Sequence, residues 1–299
     1  MPEPDTRRRE RLDLSWETAE ELAEWCVPLP VDAYGDAHRA TAEPLPAAAS
    51  QLARAAARFG RDLGEAGLLH VTGVLPPPTL PPTPGRPYVE LRHPIGTEPL
   101  MLALGGLVGE VISFADWHGG DRVQNLYPLR AEAARQNASN AVYLEMHTET
   151  AFRPNTPDAL ILLCLRPDPG ARTLVCDLHE VWDGLDPATR GALAEPAFAF
   201  HLPDGTSTEP KPVATPRGGR LRFNYADALC AVDERHRLPL RTLREGILAR
   251  TVEITLRAGD LLFLDNLHLV HGRSGYGPRY DGTDRWLQRC LIRAAAERG

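Results

Sequence analysis

The chain has 299 residues, 43% hydrophobic and 24% charged, an ordinary composition for a soluble globular protein with a substantial core. Its 33 Lys and Arg against 40 Asp and Glu leave a formal charge of −7, which disfavours nucleic acid or an anionic membrane as the main partner. Five scattered cysteines with no C-x-x-C pair fit reduced thiols better than a disulfide framework or a zinc knuckle. The charged first residues hold no apolar signal-like run, and no stretch is apolar over a bilayer's thickness, so a cytoplasmic protein is expected.

Residues 14–26, LSWETAEELAEWC, predict a helix capped by Ser15 with Glu17 and Glu20 in its first turns. Residues 49–67, rich in Ala, Leu and Arg, predict a second. The stretch VLPPPTLPPTPGRP at 74–87 breaks regular structure. It reads as an ordered surface connection, because the helices before it are too few to bury a core alone. From about residue 100 the texture changes to short apolar runs: ALILLCLR (159–166), RLRFNY (220–225), TVEITL (251–256), DLLFLDN (260–266) and RWLQRCLIRA (285–294). Separators rich in Gly, Pro and Asp make these the strands of a sandwich, jelly roll or barrel. No βαβ alternation with G-x-G-x-x-G is present, which disfavours a Rossmann domain, and no internal repeat is visible.

The stretch LEMHTETAF (144–152) has the look of a strand, and strand alternation would point His147 and Glu149 the same way, with Thr148 opposite. That is half of a metal site. Of the ten histidines, His38, His93, His118, His179, His201 and His236 sit in loop-like or polar contexts, and His70 ends an apolar run. The remaining pair, His268 and His271, lies where the strand DLLFLDN gives way to a Gly- and Pro-rich loop, a common address for chemistry. Two imidazoles and a carboxylate suit a facial triad that leaves three positions open on Fe(II); zinc hydrolysis is the competing use of such ligands. In RWLQRCLIR, alternation puts Arg285, Leu287 and Arg289 on one face and Trp286, Gln288 and Cys290 on the other. Two arginines on a buried strand need anions, whereas on an exposed edge they need nothing.

The segments HTETAFRPNTPDALILLCLRPDPGA (147–171) and HGRSGYGPRYDGTDRWLQR (271–289) together resemble the clavaminate synthase-like branch of the Fe(II)/2-oxoglutarate-dependent oxygenases. That branch includes hydroxylases of free asparagine and arginine, and the likeness covers roughly residues 120–293. It implies a mainly β fold with flanking helices around a double-stranded β-helix (jelly roll), in one domain over 1–299. The first 75 residues would be largely helical, the core would run over about 100–299, and the polar stretch 202–220 would be a lid-like loop. His147, Glu149 and His271 match the iron ligands, which leaves His268 a packing or supporting role. Arg285 matches the cation that holds the distal carboxylate of 2-oxoglutarate, and Thr173 the hydroxyl beside it. Arg289 matches the residue that holds the substrate α-carboxylate.

Ser139 lies near where relatives contact the amino-acid backbone, and Glu145 shares the His147 face by alternation. Asn224 and Asp227 stand where arginine-hydroxylating relatives carry closely spaced acids; the full acidic clamp is missing, which counts against arginine. No catalytic residue is expected beyond the metal ligands. The implied activity uses Fe(II), 2-oxoglutarate and O2 to hydroxylate an unactivated carbon of a free L-amino acid, Cβ first and Cγ second. A carrier-tethered amino acid, a desaturation or a ring closure stays open, as does a jelly-roll protein whose histidines hold a metal without oxygenase activity.

Overall fold

The computed structural model describes residues 9–26, 44–74, 80–87, 95–134, 141–153, 155–201, 205–217 and 220–294. The first expected helix is present as α1 (Trp16–Cys26), and Ser15 Oγ accepts the Thr18 amide at 3.2 Å, as its capping role requires. The second, α2 (Ser50–Arg61), stops short of residue 67 because Gly64 and Gly67 take left-handed φ values of 88° and 63°. A third helix, α3 (Glu98–Val108), has no periodicity to betray it: Leu100, Met101, Leu102 and Leu104 are all buried, so it is apolar on every side. It crosses α2 so closely that a Cβ on Gly60 would lie 2.4 Å from the Val108 carbonyl oxygen.

Eight strands frame the site: β1 (Leu68–Thr72), β2 (Leu144–His147), β3 (Ala159–Arg166), β4 (Thr173–Asp177), β5 (Val252–Ile254), β6 (Leu261–Asp265), β7 (Leu269–Arg273) and β8 (Trp286–Arg293). The larger sheet runs Arg9–Asp13, β1, β6, β3, β8, Glu110–Ile112, with Gln124–Leu126 also paired to β8. The smaller runs β5, β4, β7, β2. All five apolar runs carry a strand, including Arg220–Phe223 outside these two sheets. The first 75 residues are not simply helical, however. Arg9–Asp13 pairs in parallel with β1, and β1 pairs with β6, so this part supplies one edge of the larger sheet.

Strand β3 reads as a continuous apolar run because both of its faces are covered. Ile161, Leu163 and Leu165 pack with Leu52, Phe59 and Leu104 of the helices, while Leu160, Leu162 and Cys164 meet Val175 and Leu269 of the smaller sheet. Each buried leucine stabilises the fold by about 2 kcal/mol relative to exposure. Strand β8 does the same: Trp286, Cys290 and Ile292 join the helix-side core, and Leu287 and Leu291 join the inter-sheet core. The outer face of the smaller sheet is covered separately, with Met146, Leu174 and Val270 packing against Phe198, Tyr225 and Leu243.

The 202–220 stretch is less loop-like than its composition suggests. Residues 202–204 and 218–219 lie outside the described set, but Ala214–Arg217 pairs antiparallel with Arg220–Phe223 and Lys211 bridges to Phe198. Buried Val213 and Ala214 anchor that hairpin in the outer core. The described end of the proline-rich stretch is pinned as an ordered connection, with Thr83 Oγ1 donating to the Asp284 carbonyl at 2.7 Å. Among the described residues no helix is long and apolar enough to cross a membrane.

Candidate active site

A cavity between the two sheets gathers His147, Glu149, His271, Thr173, Arg285 and Arg289. Register places His271 of β7 opposite His147 of β2, with Arg273 opposite Leu144. Three residues on β7 thus span four on β2, a bulge that breaks the alternation of β2. Gly272 sits at this bulge, where a Cβ would fall 2.6 Å from the Leu144 carbonyl oxygen. The glycine of H-G-R is therefore a packing necessity.

His147 and Glu149 do converge, but not because they share a strand. Strand β2 ends at His147, and Glu149 belongs to a turn in which Thr150 adopts φ 52°. That turn is fastened on both sides. The Thr148 amide donates to the Tyr225 carbonyl at 2.8 Å, and the Glu149 amide donates to Asn266 Oδ1 at 2.7 Å. Asn266 Nδ2 in turn donates to the Pro157 carbonyl at 2.8 Å. Asn266 was not singled out from the sequence, and nothing in the stretch LDNLH marks it.

One donor atom from each of His147, Glu149 and His271 lies within 4.8 Å of the others. The carbonyl of Glu145 can only accept, so its 2.7 Å contact with His147 Nδ1 places the proton there and leaves Nε2 with the lone pair that a metal would need. Burial, and then the neighbouring His271, push His147 down to about 4, so it is neutral at physiological pH. Burial alone would raise Glu149, but the Arg289 guanidinium and the His271 hydrogen bond hold it well below the usual carboxylate range. Two imidazoles and one ionised carboxylate on one side of a cavity fit a divalent iron with open positions.

The two arginines flank this centre on the face shared with Leu287, as alternation along β8 requires. Arg289 is 2% exposed and heavily engaged: Nε and Nη2 donate to Gln124 Oε1 at 3.0 and 2.7 Å, and Nη1 donates to Glu149 Oε2 at 2.9 Å. The Trp117 ring covers its guanidinium at 4.7 Å. Arg285, 7% exposed, has no hydrogen bond or ion pair among the described residues, and burial lowers its pKa. Thr173 of β4 lines the same cavity. Arg273 adds a third cation that the sequence reading passed over; it donates to the Val142 carbonyl at 2.6 Å, and burial and then Arg285 push it down to about 10.

Residues 100–291 match the model of the family described as "Taurine catabolism dioxygenase TauD, TfdA family". The chain is 36% identical over 258 residues to an L-asparagine oxygenase of Streptomyces coelicolor, covering 81% of this chain and 75% of that protein. It is 30% identical to an L-ornithine/L-arginine 3-hydroxylase of Catenulispora acidiphila, over 66% of this chain and 67% of the relative. A solved asparagine oxygenase, in complex with Fe(II), 2S,3S-3-hydroxyasparagine and succinate, superposes with a TM-score of 0.85 at 30% identity, covering 96% of this chain and 94% of that one.

The chain belongs to the TauD/TfdA dioxygenase family.

It is an Fe(II)/2-oxoglutarate-dependent oxygenase that consumes O2, and the zinc-hydrolase and binding-protein alternatives give way. Within this TauD/TfdA oxygenase the remaining candidates scatter. His268 is buried outside the cavity, with Nδ1 on the Gly64 carbonyl at 2.9 Å and its ring stacked on His179 at 3.8 Å, the packing role expected of it. Because of the β2 bulge, Leu144 rather than Glu145 joins His147 at the cavity; Glu145 contributes its carbonyl instead. Asp227 does not line the cavity: it accepts the Met146 amide at 3.3 Å and the Tyr225 hydroxyl, steadying β2 from behind. Asn224 is half-buried away from the cavity lining, with its amide on the Val213 carbonyl at 2.8 Å. Ser139 lies outside the described residues. Gln124 and Trp117, which grip Arg289, carried no sequence signal, because only the fold brings them to β8.

Proposed function

We propose that this oxygenase hydroxylates an unactivated carbon of a free L-amino acid, Cβ in the first place and Cγ in the second. The carrying observation is the cavity itself, with a three-ligand centre flanked by two arginines that differ in what they already hold. His147, Glu149 and His271 would hold the iron. When bound, the iron supplies O2 activation at the expense of 2-oxoglutarate, which leaves as succinate and CO2 while one oxygen atom passes to the substrate.

The chain's own residues bind, orient and shield. Arg285 presents an unclaimed guanidinium fork to the distal carboxylate of 2-oxoglutarate, with the Thr173 hydroxyl beside it. Arg289 uses three of a guanidinium's five N–H groups on Gln124 and Glu149, leaving two for the substrate α-carboxylate. A free carboxylate can take them, whereas an amino acid tethered through a thioester has none to offer. Leu126, Leu160, Leu162 and Leu287 keep water from the reacting carbon and strengthen these charged contacts. The commitment of Asp227 to Tyr225 and Met146 favours a neutral side chain over a guanidinium. Ser139 and Asn224 stay candidates for substrate contact on resemblance alone.

The same reading assigns a jelly-roll core within one domain, with the stretch 202–220 as cover. Two facing sheets around a shared apolar core support it. It also assigns a cytoplasmic location, supported by five cysteines that are all free thiols.

The test is succinate formation by the iron-loaded protein with 2-oxoglutarate and O2, run against single L-amino acids with mass spectrometry of each. One amino acid that raises succinate and gains one oxygen establishes the reading. Succinate that no amino acid stimulates removes the amino-acid part of it. His271→Ala should abolish both products and iron retention.

A further inference from the structure

Arg153 follows the metal-binding turn directly and is held in it by its own amide, which donates to the Thr150 carbonyl at 2.8 Å. Its side chain leaves that turn and crosses to the segment after Glu110–Ile112. There Nη1 and Nη2 each donate to one oxygen of Asp116 at 2.9 Å, a two-pronged pair. The same guanidinium lies 4.6 Å from the Phe114 ring and 5.8 Å from the Trp117 ring. Trp117 in turn covers Arg289, whose Nη1 donates to Glu149. The contacts close a circuit: Glu149, Arg289, Trp117, Arg153, and back along the backbone to Glu149.

We infer that Arg153 is a positioning residue for the amino-acid site, clamping Trp117 as a cover over Arg289. This rests on the reading of Arg289 as the holder of the α-carboxylate. An exposed ion pair by itself would do little, and Asp116 is 70% exposed. What distinguishes this pair is its forked geometry together with the aromatic faces it grips. The chain turns back sharply after Trp117: His118, Gly119 and Gly120 take successive left-handed φ values of 49°, 67° and 81° in a short 3-10 turn closed by the Gly120 amide on the Trp117 carbonyl at 3.0 Å. That turn fixes the Trp117 backbone and leaves the indole side chain to be held by its neighbours. With Trp117 in place, one face of Arg289 is dry, its plane is set, and its two unused N–H groups meet a carboxylate in a low-dielectric setting. The 2-oxoglutarate end, with Arg285 and Thr173, shares none of these contacts.

The experiment uses the iron-loaded full chain and the amino acid that stimulates succinate formation in the panel above. Michaelis constants for that amino acid and for 2-oxoglutarate are measured for Arg153→Ala, Asp116→Ala, Trp117→Ala and the double variant Arg153→Ala/Trp117→Ala. Arg235→Ala, which removes an exposed pair with Glu195, serves as control. Arg153→Ala should raise the amino-acid KM about tenfold, with the 2-oxoglutarate KM within twofold. Arg153→Lys, which keeps the charge but not the fork, should fall between. The double variant should be no worse than Trp117→Ala alone, since the two residues act in series. An unchanged amino-acid KM in Arg153→Ala, or effects that add in the double variant, overturns the inference while leaving the proposed function standing. If Arg153→Ala does not fold, Asp116→Ala carries the same prediction from an exposed position. If no amino acid stimulates the wild type, the Arg289 reading fails and takes this inference with it.

Discussion

Arg285 and Arg289 face the same cavity from one strand and its approach, yet their surroundings are opposites. Arg289 is wrapped by Gln124, Glu149 and Trp117 before any substrate arrives. Arg285 is buried with no hydrogen-bonded partner among the described residues, and Arg273 beside it only adds repulsion. A buried charge without a partner destabilises a fold, so it is retained where a ligand will neutralise it. On the proposed function, the difference separates a guanidinium already paired with Glu149 from one left for the distal carboxylate of 2-oxoglutarate to claim.

Four experiments break or sharpen this contrast, taken from the largest effect to the smallest. Arg289→Met strands the buried Glu149 carboxylate and should lower the stability of the metal-free protein by about 3–5 kcal/mol in denaturant unfolding. Asp265 supplies the anionic counterpart, a wholly buried carboxylate held by the Gly64 and Leu267 amides at 2.6 and 3.0 Å. Burial raises it to about 6 against the pull of His268. Its folded pKa lies above the unfolded value, so its contribution is complete below about pH 4 and is lost as pH rises through 6. The stability of the wild type relative to Asp265→Asn should fall by up to about 3 kcal/mol from pH 4 to 7 and then level off. A flat difference would mean that partners, rather than burial, set the cost there.

Arg285→Gln should raise the 2-oxoglutarate KM by about 100-fold, the loss of two charge-assisted hydrogen bonds, without lowering the unfolding midpoint. A large drop in the midpoint would show a structural partner for Arg285 and remove the contrast. Thr173→Val should raise the same KM about tenfold, the cost of one hydrogen bond to a carboxylate of about 1.5 kcal/mol, and leave the amino-acid KM alone.

Much of the site was readable along the chain, though not always for the right reason. Alternation along β8 placed Arg285 and Arg289 together because that strand is regular over its length. Alternation along LEMHTE failed at two points, since a bulge removed Glu145 from the cavity and a turn, not a strand, aimed Glu149. The helix Glu98–Val108 was invisible because even its exposed positions, Gly106 and Leu107, are not polar, so no polar face marks its period. Arg9–Asp13 was hidden because its single buried residue, Leu12, leaves no pattern to read.

By itself the sequence determined the candidate ligand types, the spacing of H-x-E and H-G-R, and the strands on or beside which they lie, because these are local and periodic properties. Only the tertiary structure decided what each charged group would meet. Gln124 reaches Arg289, Asn266 steers Glu149, Arg153 grips Asp116 beside Trp117, and Asp227 accepts the Tyr225 hydroxyl. These partnerships join residues far apart in the chain or split by turns, where no periodicity operates. Their energies come from burial and electrostatics that exist only once the two sheets have closed around the cavity.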